Sequence, residues 1–239
     1  MQPRARFRGA GLVTSREFNE KLQRRARRAG ISVTRPVSEG LEAYYRLLGL
    51  WNERINLTAL SVREPNDEAV DRLLIEPLVA AGHLPSPTVV VLDVGSGGGS
   101  PAIPMKIAAP NITLRMVESK TRKSAFLREA IRHLNLDRAS VETARYEELL
   151  ARPELHESSD IVTLRAVRVE IRVLMGLQAF LREGGLLFLF RGRSGPDVPA
   201  ALMPPLVWKS THRIGDPFSS RLVIIRKAWL GPQPQNVGA

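Results

Sequence analysis

Val89-Val90-Val91-Leu92-Asp93-Val94-Gly95-Ser96-Gly97-Gly98-Gly99-Ser100 runs from an unbroken apolar segment straight into a cluster of glycines. The run Val89–Leu92, rich in β-branched residues, has the pattern of a strand buried on both faces, as strands of parallel sheets are. The glycines after it admit positive φ and carry no side chains, so a ligand can lie against bare backbone. A helical pattern follows at Pro101–Ala108. Strand, glycine loop and helix in that order build the crevice where open α/β sheets bind ligands.

Further along, strand-like segments at Thr113–Val117, Ser140–Thr143, Ile161–Leu164 and Leu186–Phe190 are mostly separated by helical patterns, including Arg122–Leu134 and Val169–Leu181. Strands alternating with helices predict a parallel, doubly wound sheet with right-handed crossovers. Val207–Arg213 and Leu222–Lys227, on either side of Gly215-Asp216-Pro217, read as an antiparallel pair closing that sheet. Upstream, the arginine-rich stretch Arg16–Ala29 reads as a helix ended by Gly30. Leu41, Tyr44, Tyr45, Leu47 and Leu48 recur at helical spacing within Val37–Leu50, and Trp51 and Leu57 extend their apolar surface. A further helix is expected over Asn66–Val79, with Asn66 as its cap. Pro85 and Pro87 then punctuate the chain. The expected division is a basic extension over residues 1–30, a helical region over 31–86, the α/β domain over 87–230 and a tail over 231–239. The tail's Gly231-Pro232-Gln233-Pro234-Gln235 cannot build a core and is expected to be disordered.

Of the 239 residues 44% are apolar, enough to bury a substantial core, and the formal charge is +11. That balance favours an acidic partner, of which nucleic acid is the commonest. The absence of cysteine excludes disulfides, thiolate metal sites and cysteine nucleophiles, and with them ring-carbon methylation that depends on such a nucleophile. No apolar run approaches the roughly 20 residues needed to span a bilayer. The basic start Met1–Arg8 lacks a following apolar segment, and Glu17 and Glu20 count against an organelle transit peptide. A cytoplasmic protein without a membrane partner is expected.

The acid expected at the end of the second strand is Glu118, about 20 residues beyond the loop, where it would bind ribose hydroxyls. A dinucleotide fingerprint wants glycine at its first, third and sixth positions. Gly95 and Gly97 supply two, but Ser100 holds the sixth, which counts against a nicotinamide oxidoreductase. Asp93 before the loop instead completes Asp-x-Gly-x-Gly-x-Gly, typical of class I, S-adenosylmethionine-dependent methyltransferases. The expected fold is therefore α/β and Rossmann-like, mostly parallel with an antiparallel C-terminal strand, behind a small helical N-terminal region. Arg145-Tyr146-Glu147-Glu148 follows a strand at the place where adenine would be read. Arg165 ends the fourth strand, facing the methyl-transfer site. Thr163-Leu164-Arg165-Ala166 stands where enzymes acting on exocyclic amines carry Asn/Asp-Pro-Pro-Tyr/Phe, so an already nucleophilic target such as guanine N7 fits better. It needs proximity and exclusion of water rather than a general base. His83, His133, His156 and His212 show no metal or triad spacing and read as surface or structural residues; no metal is expected.

The chain resembles the small-subunit (16S) ribosomal RNA guanine-N(7) methyltransferases, the RsmG or GidB family. The resemblance covers roughly Ala29 to Lys227. It rests on Trp51-Asn52-x-x-x-Asn56-Leu57-Thr58, the loop Asp93 to Pro104, Glu118-Ser119-x-x-x-Lys123-x-x-Phe126-Leu127-Arg128, Arg145-x-Glu147-Glu148, Arg165-Ala166 and Arg191-Gly192. It implies that Gly95 and Ser100 contact S-adenosylmethionine through the loop, that Glu118 holds the ribose, and that Tyr146 and Glu147 lie by the adenine. It places Arg165 near cofactor and target base, and implies 16S ribosomal RNA of the small subunit as partner; a monomer is expected. Arg191 occupies the place of a family lysine and would steady RNA phosphate or the base. Ser100 stands where the family usually has a large apolar residue, Arg72 replaces a histidine, and Ile75-Glu76 replace an Asp-Ser pair. Two other readings stay open: a methyltransferase for protein or a small molecule, and an RNA-binding assembly factor without catalysis.

Overall fold

The computed structural model describes residues 14–165, 170–192, 202–214 and 220–228. Gly215-Asp216-Pro217, Ala166, the tail at 231–239 and the first thirteen residues of the basic extension lie outside the described residues.

Helix α1 spans Ser15–Arg28. Its start is a capping box: the Thr14 hydroxyl accepts from the Glu17 N–H at 3.2 Å, and the Glu17 carboxylate accepts from the Thr14 N–H at 2.8 Å. Arg25, Arg27 and Arg28 crowd its last turn, where the helix dipole favours cations. Helix α2 spans Arg35–Asn52 and buries Leu41, Tyr44, Tyr45, Leu47 and Leu48, the residues whose spacing predicted it.

The helix expected over Asn66–Val79 is instead three pieces: α3, Asp67–Val70; a π-helical segment, Asp71–Ile75; and α4, Glu76–Ala81. Asn66 does cap α3, its side-chain oxygen accepting from the Ala69 N–H at 2.7 Å. The break has its cause in Pro77. Proline has no N–H to give to the carbonyl four residues back, and its ring crowds that carbonyl, here Leu73. The Glu76 N–H bonds to Asp71 O, five residues back, so the Arg72 and Leu73 carbonyls are both released from the α-helical ladder.

Seven strands form one sheet in the order β3-β2-β1-β4-β5-β7-β6. The parallel strands are β1 (Val90–Val94), β2 (Thr113–Val117), β3 (Ala139–Glu142), β4 (Ser159–Arg165) and β5 (Leu181–Arg191). The antiparallel pair is β6 (Leu206–Ile214) and β7 (Ser220–Lys227). Between them lie α5 (Ala102–Ala108), α6 (Thr121–His133), α7 (Tyr146–Leu149) and α8 (Ile171–Leu177). The helix expected to reach Leu181 stops four residues short, and β5 begins at Leu181 rather than Leu186. Glu183-Gly184-Gly185, which has the composition of a loop, lies within β5 as an irregularity with Gly184 at φ +75°, beside a register shift in β4. A glycine-containing irregularity of this kind belongs inside a strand.

Alternate residues of the strands face opposite ways. Val91, Met116, Ile161, Phe188 and Ile224 pack with α1, α2, α5 and α6, and this cluster runs without a break from Phe18 to the sheet. Leu92, Val117, Val162, Leu187 and Val223 face Leu149, Leu174, Leu177 and Phe180 on the other side. No helix among the described residues is long and apolar enough to cross a membrane.

Arg25 is buried on α1 and grips Asp71 through both nitrogens of its fork, with its Nε 2.7 Å from Asp71 Oδ1. Removing one partner of such a pair strands the other charge. Arg25→Met should cost about 3–5 kcal/mol in urea unfolding, and Arg25→Met with Asp71→Leu should recover most of that loss.

Candidate cofactor and methyl-transfer site

The backbone of the glycine loop is fastened from three sides. The N–H groups of Gly95 and Ser96 donate to Val117 O at 2.9 and 3.1 Å, tying the loop to the end of β2. Gly99 donates to Ser96 O at 2.6 Å, closing the turn. From α2, the Tyr44 hydroxyl donates to Gly98 O at 2.6 Å. Gly99 has no alternative residue: φ is +85°, and a Cβ there would lie 2.5 Å from the Ile103 Cδ1. At Gly97, φ +52°, a Cβ would meet nothing closer than 3.8 Å, so the space beside that residue is clear.

Glu118 stands just past β2, 7% exposed. Its carboxylate turns back over the crevice: one oxygen accepts from the Gly97 N–H at 3.0 Å, the other from the Lys120 N–H at 2.7 Å. Each oxygen keeps a further lone pair for an incoming hydroxyl. A fixed acceptor beside unobstructed, glycine-lined backbone fits a ribose-bearing cofactor, and nothing in this geometry opposes S-adenosylmethionine.

Asp93, 1% exposed at the end of β1, accepts the Thr163 hydroxyl, while its Oδ2 has no partner among the described residues. Burial pushes its carboxyl above the ordinary value, opposed by bonds from Thr163 and Ser96 and by the charge of Arg165. Ser100 donates its hydroxyl to Leu73 O at 2.9 Å. Tyr146 begins α7, half-buried against Gly176, and burial followed by the neighbouring Glu147 raises its phenol. Glu147 is exposed beside it.

Arg165 leaves the end of β4 and runs under the α3–α4 segment. It pairs with Glu76 at 3.0 Å, donates to the carbonyl of Arg72, and lies 4.4 Å from the centre of the Phe190 ring. Desolvation pulls its guanidinium below the usual value and pushes Glu76 up, each countered by the other. Sequence reasoning placed Arg165 at the site but missed its partner, because Glu76 registered only as a departure from the family. Tyr44 and Thr163 went unnoticed as well. A tyrosine at a core position carries no local sign of a long-range hydrogen bond. The histidines stand apart from the loop's bonding: His83 and His212 stack at 4.0 Å, and His156 meets Leu150 O.

Sheet order, glycine loop and post-β2 carboxylate together define a class I, S-adenosylmethionine-dependent methyltransferase. The fold has a counterpart in the crystal structure of a SAM dependent methyltransferase from Aquifex aeolicus, with TM-score 0.51 and 12% identity, covering 68% of this chain and 94% of that one. Residues 37–198 match the family model described as rRNA small subunit methyltransferase G, and the chain belongs to that family. The ribosomal RNA small subunit methyltransferase G of Dichelobacter nodosus is 43% identical over 135 residues, 56% of this chain and 61% of that protein. The protein of the same name from Xanthomonas oryzae pv. oryzae is 34% identical over 192 residues, 77% of this chain and 84% of its own length.

Two substitutions separate the loop from the carboxylate. Glu118→Gln removes the charge and turns one acceptor oxygen into a donor facing a backbone N–H, and should weaken S-adenosylmethionine binding about 10- to 100-fold by calorimetry. Gly99→Ala should lower stability by about 1–3 kcal/mol through φ strain and the clash with Ile103, visible as a fall in melting temperature before any cofactor is added.

Proposed function

We propose that this chain methylates N7 of a guanine in 16S ribosomal RNA of the small subunit, in the cytoplasm and as a monomer. The observation that carries the reading is the Glu118 carboxylate fixed over the open backbone of Gly97, in a chain of this family with a formal charge of +11. The relatives' name, ribosomal RNA small subunit methyltransferase, supports the choice of RNA.

In this reading Glu118 holds the ribose hydroxyls, Gly95 and Ser100 line the cofactor's path along the loop, and Tyr146 and Glu147 flank the adenine. S-adenosylmethionine supplies an electrophilic sulfonium methyl. Guanine N7 has a free lone pair at neutral pH, so no residue has to remove a proton first. That agrees with a site built around Arg165 and two fixed carboxyls, with every histidine engaged elsewhere or at the surface. The chain's task is to align the base, exclude water and hold Arg165 still. Arg165 is held by its ion pair with Glu76 and by the Phe190 face. In this reading Arg191, at the end of β5, steadies RNA phosphate or the base.

Labelled-methyl transfer to small subunits isolated from a strain lacking the modification tests this. The expected product is N7-methylguanosine at a single position, identified by mass spectrometry of nuclease fragments. Cofactor binding without incorporation would overturn the reading and favour a methyltransferase for another substrate; loss of both would leave an RNA-binding assembly factor. Arg165→Lys keeps charge but loses the planar fork, and should lower kcat about 10²-fold while cofactor affinity changes little.

A further inference from the structure

We propose that a row of arginines at the rim of the sheet, Arg191, Arg221 and Arg213, grips the phosphate backbone of the RNA beside its target base. The inference deepens the reading of RNA as substrate and rests on it. Strand register sets the row. Arg191 on β5 lies directly opposite Arg221 on β7, and Arg221 lies directly opposite Arg213 on β6. Residues directly opposite in an antiparallel ladder share a face, with Cβ atoms about 5 Å apart. The arginines therefore stand side by side across adjacent strands, and β6 is the outer edge of the sheet. Arg191 and Arg221 are half-buried, and Arg213 is exposed.

Like charges directly opposite one another destabilise a sheet. Neither Arg191 nor Arg213 has an acid partner among the described residues. Arg221 donates to Gly192 O at 3.4 Å, which steadies it beside the end of β5. At the other end of these strands the chain supplies carboxylates. Arg182 near the start of β5 meets Asp160, and Lys227 at the end of β7 meets Glu157, each at 2.9 Å. A cationic row kept at one end, where cations at the other are neutralised, asks for an anion from outside.

The row lies at the end of the sheet where substrate must arrive. Open parallel sheets bind ligands outside the carboxyl ends of their strands. Arg191 follows Phe190, which lies opposite Arg165 of β4 in the ladder. From there the row leads away from the cofactor loop to the free edge at β6. The planar fork of an arginine takes two oxygens of one phosphate. A single small anion would engage one such fork, whereas several forks in line suit a chain of repeated negative charges. Contacts of this kind fix the strand without reading its sequence. They would hold the RNA flanking the target while Arg165 faces the base itself.

The test uses the full chain and protein-free small-subunit ribosomal RNA, with binding measured over a range of salt concentrations. Arg213→Gln removes a charge from the exposed end of the row, and Arg213→Glu reverses it. Arg226→Gln removes the same charge from an exposed position at the far end of β7. The RNA dissociation constant should rise about 3- to 10-fold for Arg213→Gln and further for Arg213→Glu. The slope of log affinity against log salt should become shallower by about 0.7–1 for Arg213→Gln. Arg226→Gln should stay within twofold of the parent. Melting temperature should hold or rise for Arg213→Gln and rise for Arg213→Glu, because repulsion from Arg221 is relieved. RNA affinity within twofold of the parent for both Arg213 variants overturns the row. Equal losses in Arg213→Gln and Arg226→Gln do so too, since net charge alone would then explain them. A fall in melting temperature for both Arg213 variants, which would make Arg213 a structural residue, also overturns it. So does a defect confined to assembled subunits, which would make an acidic ribosomal protein segment the occupant. Because binding is read without methyl transfer, an inactive parent whose Arg213 variants still lose RNA affinity sinks the methylation reading and leaves the row standing. An active parent with unaffected variants does the reverse.

Discussion

A backbone N–H or carbonyl buried at the crossover after β1 has no water to turn to, and the surroundings of the glycine loop are arranged by that constraint. The Gly98 carbonyl takes the Tyr44 hydroxyl, the Gly97 N–H goes to Glu118, and the N–H groups of Gly95 and Ser96 share Val117 O. The same necessity reaches into the helical region. Pro77 has no N–H to offer the carbonyl of Leu73, and Ser100 of the loop fills the place. The Arg72 carbonyl, released by the π-helical step at Asp71–Ile75, takes a donor from Arg165. The N-terminal helices are therefore part of the cofactor site's frame, and one apolar cluster runs through both.

The ionised groups at that junction follow from the same geometry. Asp71, Glu76 and Asp93 are all buried, and desolvation is the leading influence on each carboxyl, raising it. Such groups persist in a fold only where a cation or donor faces them. Arg25 from α1 meets Asp71, Arg165 from β4 meets Glu76, and the Thr163 hydroxyl meets Asp93. Buried pairs of this kind add little to net stability compared with apolar residues of the same size. Their contribution here is positional. The π-helical segment is held between α1 and the end of β4, and Arg165 is fixed over the Phe190 ring at the mouth of the sheet.

The parts legible in the sequence were those with local signatures. The β-branched run, the glycine cluster and an acid about 20 residues on located β1, the loop and Glu118, and alternation of strand and helix patterns gave the sheet's class. Boundaries failed where a single residue type changed the local rule. Pro77 split the helix over Asn66–Val79, and Gly184-Gly185, which resembles a loop, lies inside β5. The pairing of Glu76 with Arg165 joins residues 89 positions apart, and no periodicity encodes such a partner. Arg165 stood out because it ends a strand, whereas Glu76 lies in a helical stretch where a solvated acid would look the same.

Adjacent residues on a helix project about 100° apart, and Tyr44 and Tyr45 make use of that angle. Both have the periodicity of core residues, and both are buried. Tyr44 reaches the glycine loop and satisfies its carbonyl, whereas Tyr45 turns toward Phe18 with its hydroxyl unmet among the described residues. Leu48, one turn after Tyr44, comes within 3.2 Å of the Cβ position of Gly98, and Leu57 O within 3.3 Å, so a side chain added to the loop there would press on both. The helix thus carries the loop on one edge and the contact with α1 on the next, with the Asn52 turn closing the frame at its end.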